Sequence, residues 1–269
     1  MANTSIRKTF SGNGNLTTWT LSFWVKRGAL GSQERMFSCD DASSNEDDFF
    51  VFDSNDRINL GFYDYGYYAQ KQTNRKFRDI NAWYHIVCAF DTTQATDSNR
   101  IKVYVNGVQE TSLAAVSYPS QNLDLGIDGG AGYASHYGQR GDGAMYLGCV
   151  MSHAHYTQGT AYDASAFGST DATTGEWKIN TAPNVTYGTK GYFILKDGNS
   201  VTDQSGNSNN WTVGNGTLSN TEDCPDNIFA TLNPLGNKNS NNTLAYGNTQ
   251  HSCSTNWCGF TSSIGASAG

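Results

Sequence analysis

Two apolar strands joined by a polar reversal lie at the centre of this sequence, WYHIVCAFDTTQATDSNRIKVYVNGVQ at residues 83–109. The first, Trp83–Phe90, is apolar on both alternating faces, so it must be covered on both sides in the middle of a sheet. Ile101–Val105 alternates instead, as a half-buried strand does. Asn106 and Gly107 then predict a type I′ turn, because both central residues of that turn need positive φ. The pattern therefore predicts an antiparallel sheet protein.

The composition favours an all-β sandwich with an aromatic core. Hydrophobic residues make up only 37% of the 269 residues, but 13% of residues are aromatic, so burial depends on Trp, Tyr and Phe. The 29 Gly and 4 Pro indicate many turns. We predict a two-sheet antiparallel jelly-roll sandwich over residues 1–214. Residues 215–269 are rich in Asn, Ser, Thr and Gly and are predicted to form an extended C-terminal arm for anchoring or assembly.

Charge and hydropathy exclude two kinds of partner. The net charge of -7 argues against nucleic acid, which needs a basic face. The sequence has no apolar run of about 18 residues, so we expect no membrane insertion. The N-terminal MANTSIRKTF lacks the apolar core of a signal peptide. We therefore expect the protein to begin in a cytoplasm.

Tyrosines form the candidate glycan site. In GFYDYGYYAQ, alternation places Tyr63, Tyr65 and Tyr67 on one face, and the glycine-rich loop at residues 128–142 adds Tyr133 and Tyr137. Exposed rings can stack on the C–H faces of sugars while their hydroxyls hydrogen-bond to sugar oxygens. The alternative is that these rings pack within the sandwich or on a neighbouring subunit.

Two rim loops carry candidate calcium ligands. Asp203 and Asn207 lie in DQSGNSNN, and Asp128 and Asp142 flank the glycine-rich loop. Carboxylate and amide oxygens are the ligands that calcium prefers. The alternative for Asp-x-Ser-Gly is a simple turn in which the Asp side chain caps backbone N–H groups.

The cysteines predict one small closed loop. Cys253 and Cys258 could be joined as a disulfide, whereas Cys88 and Cys149 lie within apolar strands and are expected to be buried free thiols. None of the cysteine spacings is CxxC, so a zinc site is not indicated.

The sequence offers little for catalysis. Retaining glycosidases need two carboxylates on one strand face, and the nearest approach is Glu46, Asp47 and Asp48 without a second glutamate. His153 and His155 share a strand face, but no third metal ligand is identifiable and packed histidines are favoured. We therefore predict a protein that is not an enzyme.

Several segments resemble a known family. LSFWVKR, WYHIVCAFD, IKVYVNG and DQSGNSNNWT are similar to segments of concanavalin A-like, laminin-G-type jelly rolls, over about Phe10–Val213. A narrower resemblance is to such modules in virion proteins of tailed phages, especially marine ones. It is carried by AWYHIVCAFDTTQATDSNRIKVYVNGVQ, YPSQNLDLGI, YDASAFGSTDATTGEWK, DQSGNSNNWTV and CPDNIFATLNP. The segment CVMSHAHYTQ departs from the family pattern, so no function is assigned to it by analogy.

The resemblance implies a non-enzymatic protein of the virion surface, assembled in the host cytoplasm. It would be a head decoration or a fibre-type adhesin that binds host-surface glycans weakly. One alternative is a purely structural decoration or cement protein, anchored to capsid or tail by residues 215–269. A further alternative is a polysaccharide depolymerase. The implied partners are other virion proteins and further copies of the chain, with a trimer favoured, and calcium is the one cofactor considered.

Overall fold

The computed structural model describes residues 4–40, 46–127, 133–196, 201–228, 230–233, 236, 242–245, 248–254 and 258–262. The strands are β1 Ser5–Thr9, β2 Thr18–Arg27, β3 Glu34–Asp40, β4 Glu46–Phe52, β5 Arg57–Asp64, β6 Tyr67–Lys76, β7 Trp83–Asp91, β8 Ile101–Val105, β9 Val108–Gln109, β10 Leu113–Ser117, β11 Ala134–Tyr137, β12 Cys149–Gln158, β13 Gly168–Thr170, β14 Trp177–Ile179, β15 Tyr192–Ile194, β16 Thr212–Asn215, β17 Asn242–Ala245 and β18 Gln250–Cys253. Two short 3-10 helices, Asp97–Asn99 and Ala164–Ala166, accompany them. In this described part of the chain, no helix is long and apolar enough to cross a membrane.

The strands form two large antiparallel sheets, and the all-β sandwich prediction is confirmed. One sheet has eight strands in the order β10-β6-β5-β4-β3-β11-β1-β16, and the other has six in the order β15-β12-β2-β7-β8-β9. The main apolar cluster draws its side chains from both sheets. At its centre the Trp19 ring stacks on Phe90 with centroids 4.1 Å apart. The sandwich is thus held by aromatic packing, as the composition indicated.

The central hairpin is where the sequence predicted it. Strand β7 lies between β2 and β8, and its residues from Trp83 to Phe90 are buried on both faces. Asn106 has φ 48° and Gly107 has φ 81°, as a type I′ turn requires. The Asn106 side chain also accepts a hydrogen bond from the His85 N–H at 2.7 Å. The turn therefore helps to fix the register of β7.

The sequence predicts a short strand at Leu123–Ile127 and a long one at Ala144–Tyr156, and some of these boundaries are wrong. Leu123–Ile127 is not a strand, because single hydrogen bonds hold it in place of a ladder: Leu125 donates to Leu16 O at 3.0 Å and accepts from Trp19 Nε1 at 2.6 Å. Strand β12 begins at Cys149 rather than Ala144. Both Cys88 and Cys149 are free thiols, but only Cys88 is fully buried.

The outer face of the six-stranded sheet is covered by the chain that follows β12. A second apolar cluster joins Val87 of β7 to Ala164 and Phe167, with Trp177 packed against it. The Asp163 side chain accepts a hydrogen bond from Ser165 N at 2.9 Å and caps the short helix. This segment therefore covers the sheet around Val87.

The chain after Gly214 first returns to its own sandwich. Strand β16 pairs with β1, and a buried ion pair joins Lys26 Nζ to Asp223 Oδ2 at 2.7 Å, with Thr231 Oγ1 at 3.2 Å from the same nitrogen. Strands β17 and β18 then form a separate hairpin. The predicted extended arm is not confirmed in the described residues.

Candidate functional site

Strands β4, β5 and β6 carry aromatic side chains on the outer face of the eight-stranded sheet. Phe49 is only 6% exposed, yet it belongs to neither apolar cluster. The register pairs Phe49 with Gly61 and pairs Tyr63 with both Asp47 and Tyr67. Because directly paired residues share one face of a sheet, these side chains all point away from the core.

The three rings meet as one platform, which we call the outer aromatic face. Its residues are Phe49, Tyr63 and Tyr67. The Tyr63 and Tyr67 ring centroids are 5.2 Å apart, and those of Phe49 and Tyr67 are 6.4 Å apart, both in edge contact. Tyr67 is 45% exposed and Tyr63 is half-buried. Tyr67 thus contacts both the buried Phe49 ring and the Tyr63 ring, and the two tyrosine rings reach solvent.

Gly61 makes this close packing feasible. A Cβ atom at position 61 would lie 2.6 Å from Phe49 Cζ and 2.9 Å from Tyr67 Cε1, distances that carbon atoms do not tolerate. The missing side chain lets both rings approach the backbone of β5 closely. The geometry of the outer aromatic face therefore depends on a residue that has no side chain.

We expect the substitution Gly61→Ala to destabilise the protein by about 1–3 kcal/mol, because the added methyl group forces the two rings apart. Gly66→Ala is the matched control in the same hairpin, since a Cβ there meets nothing within 4 Å. Urea denaturation of both variants provides the comparison. Equal stabilities for Gly61→Ala and Gly66→Ala would contradict the packing described for Gly61.

A buried ion pair borders the outer aromatic face. Arg35 and Asp47 are joined by two hydrogen bonds, one of 3.0 Å from Nη1 to Oδ1 and one from Nη2 to Oδ2. The Arg35 guanidinium lies 4.7 Å from the Phe49 ring centroid. Burial raises the pKa of Asp47, and Arg35 partly offsets that rise. Burial also raises the pKa of Tyr67, so its hydroxyl stays protonated near neutral pH and can both donate and accept.

Amide side chains extend the same face along the sheet. Asn59 pairs with Gln72 across the strands, and Gly61 pairs with Gln70. Gln70 Nε2 donates to Asn59 Oδ1 at 3.3 Å, while Gln72 Nε2 donates to Asp53 Oδ2 at 2.8 Å. Each amide keeps further donor or acceptor capacity. Rings beside amides offer stacking and hydrogen bonding on one surface.

The structure separates the five candidate tyrosines. Tyr63 and Tyr67 come together on the outer aromatic face, and Tyr65 lies beside them in the β5–β6 turn, with φ 50° and 77% exposure. Tyr65 therefore precedes β6, which begins at Tyr67. Tyr133 is half-buried against the core.

Tyr137 is a correction, because it cannot contact a glycan. It is only 2% exposed, and its hydroxyl lies 3.0 Å from that of Tyr192 inside the sandwich. The alternation of β11 directs this ring inward, where it packs edge-on against Phe37. This direction was not predictable from the sequence, because the glycine-rich loop before β11 obscures where the alternation begins.

Asp203 organises a turn. Its Oδ1 accepts from Phe193 N at 2.8 Å and Ser205 N at 2.9 Å, and its Oδ2 accepts from Asn209 N and Ser205 Oγ, both at 2.8 Å. Four donors use the capacity of a carboxylate. Asn207 Nδ2 donates to Gly191 O at 2.9 Å. The geometry favours the turn alternative over calcium at this loop.

The second pair of candidate calcium ligands is Asp128 and Asp142. Asp142 forms an ion pair with Arg140 and accepts from Ala144 N at 3.0 Å, and the Arg140 hydrogen bond lowers the pKa of Asp142. Asp128 lies outside the described residues. Calcium binding therefore stays a prediction.

The described residues do not assemble a catalytic pair from the acidic run. Asp47 is held by Arg35, and Asp48 points to the opposite face of β4 because neighbouring strand residues alternate. A buried contact of 2.9 Å between Ser22 Oγ and His85 Nε2 could suggest a nucleophile. However, Trp177 Nε1 donates to His85 Nδ1 at 2.9 Å, so Nε2 carries the proton and cannot accept one from the serine.

These features define a class of protein. A two-sheet antiparallel sandwich of this kind, with one sheet covered and the other presenting aromatic and amide side chains, is a lectin-like jelly-roll module. The family model for the concanavalin A-like lectin/glucanases superfamily matches residues 4–146, more than half of the chain. The chain belongs to this superfamily. A search of the curated proteins gave no match.

Several solved structures are similar to this chain at low sequence identity. A Bacteroides ovatus protein to which carbohydrate binding is ascribed is 15% identical with a TM-score of 0.56, over 85% of this chain and 60% of its own. The chain thus spans 60% of that protein's length. A heptameric SAP-like pentraxin from Limulus polyphemus is 17% identical with a TM-score of 0.42, over 80% and 90% of the two chains. Domain 4 of the arabinanase AbnA from Geobacillus stearothermophilus, solved with arabinotriose, is 19% identical with a TM-score of 0.44, over 59% and 68%.

Proposed function

We propose that this protein is a non-enzymatic glycan-binding module whose binding surface is the outer aromatic face. The observation that supports it most directly is the pair of solvent-reaching tyrosines, 5.2 Å apart, on a buried phenylalanine. A sugar ring can lie on such a platform, with its hydroxyls hydrogen-bonded by tyrosine hydroxyls and amides. The superfamily and the ascribed role of the Bacteroides protein agree with this proposal.

The charges around the platform favour a neutral saccharide. The charged groups that act on the Tyr67 hydroxyl are Asp47 and Arg35, and these two form an ion pair with each other. Each cancels most of the other's field at the surface. The face therefore offers rings and amides rather than a free cation for a sugar carboxylate or sulfate.

A glycan array tests this proposal. The full chain, displayed multivalently, should bind neutral glycans in preference to sialylated or sulfated ones. Tyr63→Ala combined with Tyr67→Ala should lower the signal at least about tenfold, since buried aromatic contacts dominate binding energy. Tyr68→Ala is the control, because Tyr68 is equally exposed but its hydroxyl is bonded to Asp64. Signals that survive the double substitution would refute this site.

The finer proposal places the module on the surface of a phage virion, as a head decoration or fibre-type adhesin in several copies, with a trimer favoured. Its support is the resemblance of the segments quoted above to marine phage virion proteins. The alternative is a purely structural decoration protein, which the β17–β18 hairpin favours, since a hairpin that belongs to neither main sheet can dock on a partner. Immunogold labelling of purified particles would reveal whether the protein is on head, tail or neither.

A further inference from the structure

The β17–β18 hairpin gathers three metal-ligating side chains. His251 and Cys253 lie two residues apart on β18 and share a face, and Cys258 returns beside them. The potential ligand atoms of these three residues all lie within 4.8 Å of one another. Among the described residues, this is the one group of three or more His, Cys, Asp or Glu side chains with that geometry.

In the structure Cys253 and Cys258 are joined as a disulfide, with Cα atoms 6.3 Å apart. We propose that when these cysteines are reduced, the hairpin binds one Zn²⁺ ion through His251, Cys253 and Cys258. Thiolates bind zinc at about 2.3 Å and imidazole nitrogen at about 2.0 Å, so one ion can span ligand atoms this close together. Three protein ligands leave a fourth position for water or another donor.

The surroundings of His251 prepare it as a ligand. Asn242 Oδ1 lies 3.2 Å from His251 Nε2, and because a carbonyl oxygen only accepts, Nε2 carries the ring proton. The lone pair is then on Nδ1, and such outer hydrogen bonds orient metal-bound histidines. The Phe260 ring packs edge-on against the imidazole at 4.6 Å and limits its rotation.

The disulfide and the metal site are alternative states of the same two sulfur atoms. On oxidation the two thiolates form one S–S bond and give up two electrons to a small-molecule disulfide. The two sulfurs of that oxidant take up two protons and leave as thiols. Zinc dissociates, since a disulfide sulfur is a poor ligand for it. Both states link Cys253 to Cys258, so the hairpin would be cross-linked in the oxidised state and in the zinc-bound state.

The test is metal titration of the full chain in both redox states. Co²⁺ serves as the spectroscopic probe and Zn²⁺ as the competitor. The phosphine-reduced protein should bind one ion per chain with the visible absorption of tetrahedral thiolate-bound Co²⁺, and the oxidised protein should bind none there. Comparison of the two states of the same chain does not depend on any variant folding.

Variants then assign the ligands. Cys253→Ser, Cys258→Ser and His251→Gln should each weaken metal binding by more than about 100-fold. A loss of that size exceeds what removal of a residue that only hydrogen-bonds to a metal ligand would cause. Cys224→Ser is the control, because Cys224 is a free thiol outside the hairpin. Absence of binding to the reduced wild type at micromolar metal, or equal binding by the Cys253→Ser, Cys258→Ser double variant, would overturn the proposal.

Discussion

Lowering the pH from 7 to about 4.5 is expected to reduce the free energy of unfolding by about 5 kcal/mol through two buried histidines. Burial, with a smaller contribution from the nearby His153, lowers the pKa of His85 from 6.5 to about 3. Burial likewise holds the pKa of His155 well below 6.5. The folded state keeps both rings neutral while the unfolded state binds protons below pH 6.5. Stability is therefore complete above pH 6.5 and is lost as the pH falls toward 3.

The contacts of His85 explain why its ring cannot accept a second proton. Trp177 Nε1 donates to Nδ1 and Nε2 faces Ser22 Oγ, both at 2.9 Å. The Trp24 ring stacks on the imidazole with centroids 4.7 Å apart. Protonation at Nδ1 would break the Trp177 contact, which helps to hold the chain that covers the six-stranded sheet.

The measurement is urea denaturation from pH 7.5 to 4.5 for the wild type, His85→Gln and His155→Gln. The stability difference between the wild type and each variant should shrink by about 1.4 kcal/mol per pH unit below 6.5. Burial raises the pKa of Asp47 and Glu34, which acts in the opposite direction but cancels in the difference. Gly66→Ala, which changes no titratable group and meets nothing within 4 Å, is the control with a constant difference. Parallel curves for the wild type and both buried-site variants would contradict this account.

The substitution Lys26→Met should cost about 3–5 kcal/mol, because it leaves Asp223 buried without a partner. The two side chains are 2% and 0% exposed, and their charged atoms are 2.7 Å apart. Lys26 lies on β2 in the middle of the six-stranded sheet. The ion pair thus ties the chain after Gly214 to the outer face of the six-stranded sheet, and its loss should free that segment as well as lower stability.

A double-mutant cycle measures this coupling. Lys26→Met combined with Asp223→Leu should recover most of the loss, since a buried ion pair can be replaced by apolar residues at little cost. Lys178→Met is the control, because the Lys178 ion pair with Asp171 is exposed and should matter little. Additive effects of the two buried substitutions would show that residues 221–231 do not dock on β2 in solution.

Alternation and turn chemistry made much of the fold predictable. The apolar pattern of Trp83–Phe90 placed β7 in the centre of a sheet, and Asn106-Gly107 placed its turn. What failed were strand ends such as Leu123–Ile127, where tertiary hydrogen bonds decide whether a ladder forms. The segment after β12 that covers the six-stranded sheet was also not predicted. Its apolar residues are sparse in the sequence and come together only on folding.

Only part of the candidate site was predictable from the sequence. Tyr63, Tyr65 and Tyr67 could be chosen as exposed rings from composition and alternation. The roles of Phe49 and Gly61 depend on cross-strand register, which a single sequence does not determine. A conspicuous signal was available in the small residue Gly61 within an apolar strand, since such glycines mark close approach of other groups.

The central claim is that sugars bind on the outer aromatic face, and a crystal structure of the full chain with a glycan selected on the array tests it most directly. The account predicts a sugar ring in van der Waals contact with Tyr63 or Tyr67, with a hydroxyl hydrogen-bonded to a tyrosine or amide of that face. A sugar bound instead at the loop ends of the sandwich, with both tyrosines uncovered, would contradict it.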